Sequence, residues 1–503
     1  MRKDYLPRLV VAGLAGDSGK TLVSLGLALA ARSRGMDVQA FKKGPDYIDA
    51  AWLSWASGRP ARNLDTWMAG FDRAALRFGQ AALPSGLNLI EGNRGLFDGV
   101  DSDGKHSTAG LARTLAAPVL LVVSVRKTTT TAAALVLGCQ RMDPAVSIAG
   151  VVLNHVAGSR HETVTRDAIE RACGVPVLGA VPRLDDTTLL PGRHLGLVTP
   201  GEHPDAGTLA GRLAALVEGH VDVERVLEIS RQAPSLEPGA PASAPRAAAG
   251  ACTIGYLRDS AFSFYYPENL EALEALGARL VPISSLEAPA LPPGLHALYI
   301  GGGFPETHAP QLAGNRGLLS SIAGEAARGL PIYAECGGLM LLAPSIAWRG
   351  ACHAMAGVLP FEVEVLDRPA GHGYSLLHVD RPNPFFTVGT TLRGHEFHHS
   401  RIATAGSRQL AAGSREASGG GRRAGGGETE SAGSVTGPES KARSPEPFSS
   451  ACAVLRGVGL GGGRDAVVIN NVWASYTHLH ADGAPEWAPA VFGAAMGFAS
   501  RNR

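Results

Sequence analysis

Residues 9–29, LVVAGLAGDSGKTLVSLGLAL, carry an unbroken apolar run into a glycine-rich turn and then into a helical pattern. An apolar run without polar alternation is a strand covered on both faces, the condition of a parallel sheet under helices. The turn must therefore hand the chain to a helix lying back over that sheet. Gly19-Lys20-Thr21 end the turn as a phosphate loop ends, with Gly13 one residue early for the strict spacing and Gly16 between. Backbone N–H groups of Gly16, Asp17, Ser18 and Gly19 at a helix N-terminus suit phosphate oxygens, which the helix dipole also favours. Lys20 sets a point charge beside the β- and γ-phosphates, and the Thr21 hydroxyl reaches Mg²⁺. ATP and Mg²⁺ are the expected cofactors.

The same alternation recurs along the chain. Runs at 88–92, 119–125, 148–156 and 175–181 read as further buried strands separated by helical segments. After a Pro/Ala-rich stretch at 231–250, read as a linker, it resumes with TIGYLRD, ARLVPIS, ALYIGGG and PIYAECGG. The fold class expected is α/β with two doubly wound domains: a P-loop NTPase-like parallel sheet over 1–230, then a second α/β domain over 251–503. Residues at about 404–450 are rich in Gly, Ser, Arg and Glu and nearly devoid of large apolar side chains, so a disordered insertion is expected there. With 46 Lys plus Arg against 45 Asp plus Glu, the chain has no basic field for nucleic acid. No apolar run reaches the roughly 18 residues of a membrane helix. No cysteines pair as CxxC, and a cytoplasmic enzyme is expected, with a homodimer as its assembly.

Two acidic clusters fall at strand ends on the phosphate-loop side. FKKGPDYIDA contributes Lys43, Asp46, Tyr47 and Asp49, and LIEGNRGLFDG contributes Glu91, Asn93, Arg94 and Asp98. Ligands of open parallel sheets sit at the carboxyl ends of strands. Asp46 and Glu91, with Thr21, are read as Mg²⁺ ligands, whereas Asp98 and Asp65 are as well explained as turn or cap residues.

PIYAECGGLMLL is a strand, a sharp turn of small residues and a helix, the build of a nucleophile elbow with Cys336 at its apex. The helix N-terminus is expected to lower the thiol pKa. Gly302 and Gly303, opposite Gly337, can supply an oxyanion hole. His478 or His480 of ASYTHLH is the candidate base, and strand periodicity does not separate them. His395, His398 and His399 match no zinc spacing and are not read as metal ligands.

Taken together, FKKGPDYID, GRPARNLD, EGNRGLFDG, RHLGLV, RDSAFSFYYPENLE, GGGFPE, YAECGGLM, GHEFHHS and ASYTHLH resemble the cobyrinate a,c-diamide synthase family. The first half is similar to dethiobiotin synthetase, the second to class I glutamine amidotransferases. Ala15 stands where the MinD-like loop carries an extra lysine, against that branch. The resemblance implies ATP- and glutamine-dependent amidation of the a and c acetates of a tetrapyrrole polycarboxylate. It gives Cys336 as nucleophile, His478 as its base, Asn154 as an adenine contact, and Lys43, Asp46, Tyr47, Asp49, Asn93 and Arg94 as substrate contacts. Many class I glutaminases carry Glu two residues after the histidine; here that position is His480, so the orienting group is open. Asn93, Arg94 and Lys43 also look like a branch thought to amidate sirohaem or a sirohydrochlorin. Cobyric acid synthase shares the architecture but resembles the chain less at FKKGPDYID and ASYTHLH. A P-loop regulatory ATPase with a glutamine-sensing half is the reading of another class.

Overall fold

The computed structural model describes residues 5–184, 192–193, 196–203, 205–236, 251–403 and 448–501. Seven parallel strands form the first sheet: β1 (Arg8–Gly13), β2 (Val38–Lys43), β3 (Arg62–Leu64), β4 (Leu87–Glu91), β5 (Val119–Ser124), β6 (Ile148–Val156) and β7 (Val177–Pro182), in the order β3-β2-β4-β1-β5-β6-β7. Side chains alternate along a strand, so β1 feeds two cores: Leu9 and Val11 join one, Val10 and Ala12 the other. Helix α1 (Lys20–Ser33) seals the first of these with Val23 and Leu27, and α2 (Tyr47–Ser57) adds Trp52 and Leu53. Because β4 and β5 flank β1, the phosphate loop lies beside the end of β4, and β2 is the next strand out. That order puts Lys42 in register with Glu91.

The short edge strand β3 was not foreseen. The expected linker also starts later than 231. Ala233 is buried, Leu236 packs on the core, and the Pro234 carbonyl accepts from the buried Arg8 guanidinium at 2.7 Å. Residues 237–250 lie outside the described residues. So does the expected disordered insertion, except that Phe448 already packs on Phe361, with ring centroids 4.9 Å apart.

The second sheet has ten strands. Ala278–Ile283, Cys252–Leu257, Ala297–Ile300, Ile332–Glu335 and Val472–Ser475 run parallel. Arg464–Ile469, Ser450–Arg456, Gly371–Val379, Thr391–His398 and His478–Leu479 extend the sheet antiparallel. The domain is thus α/β, with only one half of its sheet parallel. The antiparallel half brings Gly371–Val379 and Thr391–His398 toward the first domain. Tyr374 Oη donates to Asp65 Oδ2 at 2.8 Å, and Tyr266 Oη to the Pro45 carbonyl at 2.8 Å. Arg77 grips Asp482 through two hydrogen bonds of 2.8 Å each, the paired geometry that fixes orientation as well as distance. Among the described residues no helix is long and apolar enough to cross a membrane.

Candidate active site

The glycine turn after β1 closes on itself. Lys20 Nζ donates to the Ala15 carbonyl at 2.8 Å, as does Ser18 Oγ at 2.9 Å. Gly19 precedes the helix at φ 96°, a left-handed conformation that favours glycine. Asn154 Nδ2 lies so close that a Cβ on Gly19 would meet it at 2.0 Å. That amide donates to the Ser18 carbonyl at 2.9 Å, so Asn154 braces the loop from behind. Gly16 and Asp17 form the outer rim, with open space above Gly16.

Behind the loop sits a charge cluster. Thr21 Oγ1 donates to Glu91 Oε1 at 2.9 Å. Lys42 Nζ donates to the same oxygen at 2.8 Å and to Asp49 Oδ2 at 2.6 Å. Burial would strip the proton from Lys42, but Asp49, Glu91 and Asp46 outweigh it and push its pKa up. Burial raises Glu91, with Lys42 opposing. Asp46 caps α2 by accepting from Asp49 N at 2.8 Å, and burial, then Asp49, push its carboxyl up to about 7. Lys20 is lowered by burial and by Lys42. One oxygen of this cluster is orphaned: Glu91 Oε2 is buried with no hydrogen-bond partner. A buried acceptor beside a hydroxyl and a second carboxylate fits a hard cation. Lys42 is the member that motif reading missed, since FKKGPD offered two lysines and only Lys43 was singled out. Asp49, expected at substrate, is engaged by Lys42. Asp98 accepts from Gly95 N at 2.8 Å, the turn role that was its alternative.

Cys336 follows the strand Ile332–Glu335 at φ 49°, ψ −98°, a strained conformation for a residue with a Cβ. Its N–H is held by the Ser475 carbonyl at 2.7 Å. The expected lowering of the thiol pKa is overturned: burial first, then Glu306, push the Cys336 thiol up, against the Gly337 N–H. The following helix, Gly337–Leu342, has six residues, too short for its dipole to win against desolvation. A thiolate here needs a proton acceptor. Three contacts gather one. A Cβ on Gly337 would meet Gly303 N at 3.1 Å, and one on Gly302 would meet His478 Cε1 at 2.5 Å and Nε2 at 3.3 Å. The elbow, the Gly302-Gly303 loop and the His478 ring thus stack in sequence.

His478 and His480 face different groups. His478 lies against Gly302, Tyr47 and His395, with ring centroids 5.3 Å and 5.0 Å away for the last two. His480 Nε2 faces Glu268 Oε2 at 3.6 Å, and its Nδ1 accepts from Asp482 N at 3.0 Å. Asp465, wholly buried and raised by that burial, accepts from the N–H groups of Tyr476 and Thr477 and from Thr477 Oγ1. It fixes the turn carrying His478.

Residues of both halves line one cleft of about 370 Å³, with His478 as the member of the elbow group that reaches it. The first domain lines it with Lys43, Asp46, Tyr47, Asn93 and Arg94, the second with Phe264, His372, Tyr374, His395, Arg456 and His478. Tyr47 is stacked on Phe264 at 5.0 Å, a seam between the domains. Lys43 is buried, and that burial lowers its pKa against the pull of Asp65. His372, Tyr374 and Arg456 were not foreseen: no local motif links them to residues some 300 positions earlier.

Residues 9–198 match the family described as CobQ/CobB/MinD/ParA nucleotide binding domain. Residues 253–439 match the CobB/CobQ-like glutamine amidotransferase domain. The chain is 39% identical over 489 residues to the cobyrinate a,c-diamide synthase of Magnetococcus marinus, with 96% of each chain covered. To that of Syntrophotalea carbinolica it is 44% identical over 396 residues, 78% of this chain and 86% of that one. The Archaeoglobus fulgidus protein of the same name is 36% identical over 476 residues, 94% of each. These names do not favour the sirohaem reading of Lys43, Asn93 and Arg94. His478 lies beyond the matched range of the amidotransferase domain, so its assignment rests on the geometry above.

Proposed function

The chain belongs to the cobyrinate a,c-diamide synthase family, and from that premise we propose that it converts the a and c acetate carboxylates of cobyrinate to amides in cobalamin biosynthesis, with glutamine as nitrogen donor and ATP as activator. The observation that carries this reading is the shared cleft, in which His478 of the glutaminase half and Asp46, Asn93 and Arg94 of the synthetase half line one space.

His478 takes the Cys336 proton as the sulfur attacks the amide carbon of glutamine, then returns it to the departing nitrogen. The N–H groups of Gly303 and Gly337 receive the oxyanion of the tetrahedral intermediate, with Gly302 shaping the loop. Water then cleaves the thioester to glutamate. Ammonia moves along the cleft, shielded by Tyr47, Phe264 and His395; the last is pushed well below the ordinary histidine range by burial and by His478, and so stays neutral. Lys43, Arg94 and Arg456 hold the peripheral carboxylates of the macrocycle, and Tyr47 and Asn93 border the acetate to be converted. Gly16, Asp17, Ser18 and Gly19 present N–H groups to the triphosphate while Lys20, released from Ala15, neutralises the γ-phosphoryl as it passes to the acetate. Ammonia displaces phosphate from the resulting acyl phosphate. Thr21, Asp46 and Glu91 would hold Mg²⁺, which draws off phosphate charge when bound.

Offering cobyrinate, hydrogenobyrinate and sirohaem in turn with ATP and glutamine, with mass spectrometry of the products, tests the reading. Diamidation of cobyrinate is expected; amidation of sirohaem alone overturns the substrate. Cys336→Ala is expected to abolish glutamine use and to spare amidation from ammonium. Loss of both would contradict two separable sites.

A further inference from the structure

The residue before the nucleophile carries a role that no motif assigned. Glu335 ends the strand Ile332–Glu335 with its side chain wholly buried. Its Oε1 accepts from Leu479 N at 3.1 Å, and its Oε2 accepts from Tyr299 Oη at 3.1 Å. The same Oε2 stands 3.6 Å from His478 Nδ1. That nitrogen is buried and has no hydrogen-bond partner. On its other side the ring presents Cε1 and Nε2 to Gly302, the loop that leans on Gly337. The imidazole therefore lies between a carboxylate on the Nδ1 side and the elbow loop on the Nε2 side. This is the order of groups in a nucleophile–histidine–acid triad, whatever the sequence positions. His480 does not compete for this place. It is turned to Glu268, 3.6 Å away across a different wall.

We propose that Glu335 is the positioning carboxylate of the glutaminase pair. It accepts the Nδ1–H of His478, holds the tautomer whose bare Nε2 faces the thiol, and steadies the imidazolium formed when the Cys336 proton arrives. The proton then leaves with the glutamine nitrogen as ammonia, so none passes to Glu335 and no other reactant is needed. The Leu479 N–H and the Tyr299 hydroxyl aim the carboxylate, since together they occupy one direction on each oxygen. A gap of 3.6 Å before glutamine binds is in keeping with catalytic hydrogen bonds that shorten only in the substrate complex. The thiol, pushed up by burial, makes such help necessary: a neutral Cys336 can ionise only into a base whose charged form is stabilised.

This inference rests on the reading of Cys336 and His478 as nucleophile and base, and the experiment separates the two. In the full chain, glutamine- and ammonium-dependent amidation are compared for Glu335→Gln, Glu335→Asp, Cys336→Ala and His478→Gln, with iodoacetamide alkylation of Cys336 followed against pH. Glu335→Gln is expected to lower kcat with glutamine by about 10²- to 10⁴-fold, with the KM for glutamine little changed. The alkylation midpoint moves to higher pH, and Glu335→Asp recovers at least part of the loss. Selective ¹⁵N-histidine NMR of the unaltered protein, assigned by subtracting the His478→Gln spectrum, should show Nδ1 protonated and Nε2 bare. The proposal is overturned by a Glu335→Gln enzyme within about threefold of wild-type kcat with an unmoved alkylation profile, or by the opposite tautomer. If Cys336→Ala and His478→Gln still use glutamine, the underlying pair fails instead.

Discussion

Adding one methyl group at Gly302 should uncouple the two halves of the enzyme. The Cβ of Gly302→Ala would lie 2.5 Å from His478 Cε1, where carbon atoms ordinarily rest at about 3.5–4.0 Å. The backbone there is not left-handed, so alanine can take it, and relief must come from the histidine ring moving by about 1 Å. The ring is penned by Tyr47, His395 and Glu335, so it cannot move without losing its aim at the elbow. A misplacement of that size costs on the order of 10²-fold in rate, about 2.7 kcal/mol of barrier. Overpacking adds about 1–3 kcal/mol to the cost in stability, a loss that a two-domain chain with full cores tolerates. The assay is steady-state amidation of the tetrapyrrole with glutamine and, separately, with ammonium chloride. Glutamine-dependent kcat should fall about 100-fold while the ammonium-dependent rate stays within about twofold. A Gly302→Ala enzyme that uses glutamine at the wild-type rate would refute the stacking of His478 on this loop.

Three further outcomes follow from the synthetase half. Asp46 is raised from its ordinary 3.8 to about 7, so its stabilising contribution is complete below the former value and is lost as pH rises through the latter. Asp46→Asn, which keeps a capping side chain, should raise the melting temperature of the nucleotide- and metal-free protein at pH 8 and not at pH 4, while abolishing amidation from either nitrogen source; an equal shift at both pH values would contradict the assignment. Lys42→Met leaves Glu91 and Asp49 without their shared cation and should cost about 3–5 kcal/mol, read as a lower unfolding midpoint of the first domain. A midpoint unchanged in that variant would mean the cluster is not held by Lys42. Gly19→Ala combines a left-handed backbone with a 2.0 Å clash against Asn154, and ATP binding by calorimetry should be lost; an affinity within twofold of wild type would count against the loop as the nucleotide site.

What the sequence disclosed follows from how local each feature is. The phosphate loop and the elbow are each a strand, a turn and a helix, so residue order alone carries them, and Lys20, Thr21 and Cys336 stand where that order puts them. Asp46 and Glu91 were legible because strands of a parallel sheet end on one side. Lys42 was missed because its role depends on β2 lying beside β4, which pairs it with Glu91. His372, Tyr374 and Arg456 arrive through the antiparallel half of the second sheet, and nothing near Arg94 in the chain announces them. Strand periodicity does not separate His478 from His480; the resemblance gave His478, and the physical difference between the two, Gly302 beside one and Glu268 beside the other, is non-local. The thiol pKa went the other way because desolvation of a buried sulfur exceeds the pull of a two-turn helix.

Isotope competition puts the shared cleft to its hardest test. Amidation is run with glutamine labelled with ¹⁵N in its side-chain amide, in unlabelled ammonium chloride kept well below the concentration that supports the reaction unaided. Nitrogen passed directly from Cys336 to the acetate beside Asp46 gives a product whose amides keep the full ¹⁵N enrichment as ammonium is raised through that range. Amides whose label falls in step with the bulk ammonium pool would show that the nitrogen leaves the protein between the two sites, and the proposed path along Tyr47, Phe264 and His395 would be wrong.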